Sequence, residues 1–126
     1  MNGAVIKQPD AAESKGLWRS VCRLDDIVEN TGVAVLTEVG VIALFRLSGA
    51  RLFAIDNCDP FSETSILSRG IVGDVDGEPV VASPIYKQQF RLRDGQCVED
   101  DSVRLRTFDV SVEDGSVLIR TPRDID

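Results

Sequence analysis

The stretch "VAVLTEVGVIALFRLSGARLFAID", residues 33–56, decides how the chain is read. Its apolar residues recur with a period nearer two than 3.6 and are rich in β-branched types, the signature of strands. It divides into a strand at 33–37, a turn at 38–40, a strand at 41–47, a hairpin turn "SGA" at 48–50 and a strand at 51–56. One antiparallel meander of three strands is expected.

The same habit returns downstream in "PVVA" (79–82), "QFRLR" (89–93), "QCV" (96–98), "RTFDVSVE" (106–113) and "SVLIR" (116–120). Asp94-Gly95 and Asp114-Gly115 sit between such runs, and both residue types tolerate the positive φ of a two-residue type I′ turn. Both pairs predict tight hairpins. Upstream, "LDDIVEN" at 24–30 is the one helical hint, with Asp25 placed to cap a single turn. The predicted fold is all-β, a small antiparallel sandwich or barrel of about eight or more strands. Residues 17–121 form the domain, with 1–16 a flexible tail and 122–126 a second one.

The chain of 126 residues has room for one domain and one core. A formal charge of −7, with its basic residues scattered, repels phosphate backbones and sets nucleic acid aside as a partner. The first sixteen residues carry neither a basic n-region nor an apolar h-region, and no apolar run approaches the roughly 20 residues of a membrane helix. A cytoplasmic protein that does not bind membranes is expected.

Cys22, Cys58 and Cys97 lie far apart without a C-x-x-C pair, which argues for free thiols. Cys22 and Cys97, on strand-like segments, read as core residues. The chain has no histidine. Imidazole bases, Ser–His or Cys–His nucleophile pairs and mixed Cys/His metal sites are therefore excluded.

Residues 57–78 are too long a stretch without periodicity for a hairpin turn, and long ordered loops usually carry function. Within them "DVDGE" (74–78) has the look of half a calcium loop, but the later ligand positions are missing, so it reads as a solvated turn. The acidic runs "VEDD" (98–101) and "PRDID" (122–126) read as solvated faces that could complement a basic partner.

With "FAIDNCDPFSETSILSRGIVGD" (53–74) and "VVASPIYKQQFRLRDG" (80–95) placed on such a scaffold, the chain resembles the Rieske iron–sulfur domain. That family holds its two-iron cluster with C-x-H on one loop and C-P-x-H-G on a second. Here Cys58 stands at the first cysteine position, Pro60 replaces a histidine, Ser83 replaces the second cysteine and Tyr86 the second histidine. From "WRSVCRLDDI" to "FDVSVEDGSVLIR" the wording is similar to the small subunit of the assimilatory NAD(P)H nitrite reductases, a Rieske-like branch without the cluster.

The resemblance implies a chain with no cofactor of its own and no active site. It further implies an accessory role beside a large subunit that carries sirohaem, a [4Fe-4S] cluster and FAD and reduces nitrite to ammonia in nitrate assimilation. The alternative is a free-standing Rieske-like binding or regulatory module, because a fold does not fix a function.

The residues expected to meet a partner are Asp59, Pro60 and Phe61 on the first loop and Pro84, Ile85, Tyr86 and Lys87 on the second. Phe61 has two readings: an aromatic anchor at the loop tip, or a ring folded back over the space a cluster would fill. Tyr86 is read as a brace reaching the first loop through its hydroxyl, with Lys87 pointing to the opposite side of an extended backbone.

Overall fold

A computed structural model describes residues 16–122; both expected tails, apart from Gly16 and Pro122 at the strand ends, lie outside the described residues. Eleven strands run through the described residues: β1 (Gly16–Arg23), β2 (Thr31–Thr37), β3 (Gly40–Leu47), β4 (Arg51–Asp56), β5 (Cys58–Asp59), β6 (Thr64–Ser65), β7 (Ile71–Val75), β8 (Glu78–Ala82), β9 (Gln89–Arg91), β10 (Thr107–Glu113) and β11 (Ser116–Pro122). They build a six-stranded sheet in the order β1-β11-β10-β4-β3-β2, a three-stranded sheet β7-β8-β9 and the small ribbon β5-β6. All pairings are antiparallel. The all-β Rieske-like architecture is therefore present, with the meander of residues 33–56 as β2-β3-β4.

β3 shows why residues 41–45, "VIALF", are a continuous apolar run rather than an alternating one. Ala43, Phe45 and Leu47 face one core with Ile55, Val81 and Phe90, while Ile42 and Leu44 face a second core with Ile27, Val117 and Ile119. A stretch buried on both faces has no polar positions to alternate with, and the alternation returns only at Arg46, which donates to the Leu24 and Ile27 carbonyls. The first core sits between the two larger sheets; the second fills the curl of the six-stranded one. Cys97 is buried in the first, and Cys22, half-buried, packs against the second.

The outer strands β1 and β2 are drawn together by a latch. Glu38, in the β2–β3 turn, accepts from Arg19 of β1 at 2.9 Å and from the Thr121 hydroxyl of β11 at 2.9 Å.

Several local expectations are corrected. The turn after β1 is a single 3-10 turn, Leu24–Asp26, and the capping carboxylate is Asp26, which accepts from the Arg23 N–H at 2.9 Å, while Asp25 is exposed. Residues 57–78 are not one long loop, because they contain β5, β6 and β7. "DVDGE" is the turn of the β7–β8 hairpin, with Asp76 and Gly77 at φ 52° and 86°. Asp114-Gly115 is the expected two-residue turn, at φ 51° and 80°.

Asp94-Gly95 is not a two-residue turn. Arg91 donates to the Gln96 carbonyl, leaving residues 92–95 as a four-residue loop with positive φ only at Gly95. "QCV" forms isolated bridges, Phe90 with Cys97 and Gln96 with Arg104, rather than a strand.

Candidate functional site

The two loops that carry the Rieske-like positions lie side by side. Asn57 anchors the first: its N–H donates to the Val41 carbonyl at 3.1 Å, and its side chain donates to Ser65 Oγ at 2.8 Å and accepts from the Ser68 N–H at 2.7 Å. Its own carbonyl accepts from both Ile66 and Leu67. Beyond it the alternation of an extended strand sends Cys58 outward and Asp59 inward, where Asp59 is fully buried.

Asp59 closes the first turn. Its Oδ1 accepts the Phe61 N–H at 2.8 Å, and its carbonyl accepts the Glu63 N–H at 2.7 Å, with Glu63 at φ 58°. Ser83 closes the second turn in the same way. Its Oγ accepts the Ile85 N–H at 3.2 Å, and its carbonyl accepts the Lys87 N–H at 3.0 Å, with Lys87 at φ 69°. "DPFSE" and "SPIYK" are thus one turn used twice, begun by a side-chain acceptor before proline. Where the turns meet, the buried Ser83 hydroxyl donates to Asp59 Oδ2 at 2.5 Å.

The donor set does not fit a two-iron cluster. Proline at 60 offers no ligand atom, Ser83 is engaged with Asp59, and Tyr86 is a phenol standing 58% exposed. The remaining thiol, Cys58, faces outward, and partial desolvation followed by the carboxylates of Asp56, Asp59 and Glu63 pushes it up from the usual thiol range. One outward thiol cannot replace the two-Cys, two-His ligand set.

The expected contact residues divide into two groups. Asp59, expected to meet a partner, is buried and holds the turns instead. Phe61 folds inward against the first core, its ring centroid 6.1 Å from that of Phe90. The brace assigned to Tyr86 belongs to Ser83. Lys87, in a turn rather than on extended backbone, bends its ammonium back to the Pro84 carbonyl at 3.3 Å. Pro60, Ile85, Tyr86 and Lys87 remain exposed, and Pro84 is half-buried beside them.

Residues 17–120 match the family model of the Rieske-like [2Fe-2S] domain. The nitrite reductase (NADH) small subunit of Salmonella typhimurium is 45% identical over 104 residues, covering 82% of this chain and 96% of that one. The chain belongs to the Rieske-like nitrite reductase small-subunit family. Within that family, the NMR structure of the Escherichia coli protein NirD superposes with a TM-score of 0.79 at 43% identity, covering 84% of this chain and 97% of that one. A segment of the NAD(P)H nitrite reductase large subunit of Klebsiella oxytoca is also similar, 43% identical over 102 residues that make up 81% of this chain and 11% of that one. A small-subunit domain therefore also occurs within a much longer reductase chain.

Proposed function

We propose that this chain is the non-catalytic small subunit of an assimilatory NAD(P)H nitrite reductase. It works in the cytoplasm, docked on a large subunit that carries sirohaem, a [4Fe-4S] cluster and FAD and reduces nitrite to ammonia. The observation that carries the reading is 45% identity across 96% of a nitrite reductase small subunit, combined with a loop site whose donors do not fit a cluster. A chain of that kind acts through its surface. The occurrence of a similar segment inside the large subunit of Klebsiella oxytoca supports a working position against that subunit.

The docking face in this reading is the tip formed by Pro60, Ile85, Tyr86 and Lys87. Tyr86 and Ile85 are 58% and 38% exposed, although both carry apolar surface. An exposed tyrosine on a braced turn supplies contact area at small entropic cost, and such residues dominate binding energies.

The test is reconstitution of the large subunit with the full chain, reading nitrite-dependent NAD(P)H oxidation, large-subunit stability and affinity. Tyr86→Ala is expected to weaken docking by about tenfold or more, with the melting temperature of the isolated chain unchanged. Equal activity and stability of the large subunit with and without the chain would sink the reading.

A further inference from the structure

We propose that the hydrogen bond between Ser83 and Asp59 is the crosslink of the two loops. It stands where cluster-bearing Rieske domains are joined by iron–sulfur chemistry, and it fixes the arrangement of Pro60, Ile85 and Tyr86. The first statement stands on this chain alone; the use of that arrangement by a partner rests on the docking reading above.

Four observations converge on the pair. Both side chains are fully buried, so a donor and an acceptor that lost one another could not turn to water instead. The bond is short, 2.5 Å, from a hydroxyl to a carboxylate, the class of hydrogen bond that is stronger than a neutral one. It joins residues 24 positions apart, so it is a tertiary bond rather than part of either turn. Finally, each partner is also the side-chain acceptor that begins its own turn, Asp59 for the Phe61 N–H and Ser83 for the Ile85 N–H.

The last point gives the bond its reach. Asp59 uses Oδ1 within its loop and Oδ2 across to the other; Ser83 accepts within its loop and donates across. Loss of the central bond therefore leaves both turns with a disturbed first residue. In a Rieske domain the two loops are held because each supplies ligands to a shared cluster. Here the loops share a proton donor and its acceptor. Cys58 takes no part, since its side chain lies on the opposite face of β5 from Asp59.

Ser83 and Asp59 are positioning residues in this proposal, and amide hydrogen exchange of the full chain tests the first statement. Ser83→Ala is expected to speed exchange of the Phe61 and Glu63 amides, in the other loop, by about tenfold. The Val117 and Ile119 amides of the central sheet serve as the control for global stability and are expected to stay unchanged. Asp59→Asn keeps an acceptor for the Phe61 N–H and reverses the central bond, its amide NH2 donating to Ser83 Oγ, and is expected to give a smaller change, about threefold or less.

Acceleration confined to residues 84–88 in Ser83→Ala would overturn the crosslink. If Ser83→Ala does not fold, Ser83→Cys, close in volume and a weaker donor, gives the same test. For the second statement, Ser83→Ala is expected to weaken binding to the purified large subunit several-fold although residue 83 is buried. Unchanged binding despite faster exchange would overturn that statement, while failure of the unmodified chain to bind would overturn the docking reading and leave the exchange result to decide the crosslink.

Discussion

At Cys58 the chain keeps a sulfur where a ligand would stand, yet its surroundings disarm it. Partial desolvation, and then the carboxylates of Asp56, Asp59 and Glu63, raise the thiol above its ordinary value. The thiolate is the nucleophile, so the sign is clear: at neutral pH the raised group stays protonated, and reactivity appears only as the pH climbs through the raised value. Alkylation of native chain by iodoacetamide at pH 7.5 is expected to run about threefold or more slower than that of glutathione, with Glu63→Gln recovering part of the difference; mass spectrometry of the labelled peptide reads both. A native rate equal to that of glutathione would contradict this. The four positions 58, 60, 83 and 86 stand out only through the resemblance to the Rieske loops, because residue types alone mark no ligand set in a chain without histidine. Their orientation was not legible, because the period of two says only that Cys58 and Asp59 face opposite ways. What selects Asp59 for the interior is a hydroxyl 24 residues further on, and local sequence does not announce it.

Among the turns, the dipeptide Asp-Gly occurs three times with two outcomes. Asp76-Gly77 and Asp114-Gly115 both take positive φ and close two-residue hairpins, whereas Asp94 does not, and there Gly95 ends a four-residue loop. The difference comes from packing. Leu92 in that loop is buried in the first core, and Arg91, Arg93 and Arg104 gather around the Asp94 carboxylate, which also accepts the Gln96 N–H. A Cβ at Gly95 would lie 2.2 Å from the Leu105 carbonyl oxygen, while one at Gly77, with a similar φ, would meet nothing within 4 Å. Gly77→Ala is expected to cost about 1 kcal/mol for its backbone conformation alone, and Gly95→Ala about 2 kcal/mol or more beyond that, as read by urea denaturation. Equal costs would show that the approach to Leu105 relaxes freely. Strands such as β3, β4, β10 and β11 were readable because their periodicity is long and local. β9 was readable too, as the first part of the run at 89–93, but β5 and β6 were not, since two residues hold no period.

Across the whole molecule the first and last strands are neighbours: β1 runs antiparallel to β11 along its length, with Gly16 opposite Pro122. Paired residues in such a ladder stand about 5 Å apart, so both ends of the domain leave at one point on its surface. A short linker can join them without strain. A chain in which residues 16 and 122 are joined by about four glycine or serine residues and new ends are opened between Asp76 and Gly77 is expected to fold with the same strand pairing, read by amide exchange. Failure to fold would mean that the β7–β8 turn, rather than the meeting of the ends, organises the molecule. The architectural consequence is modularity. A domain whose two ends share one doorway can be set into a longer polypeptide at almost any exposed point with little disturbance to either partner, so separate subunit and built-in segment become two packagings of one fold.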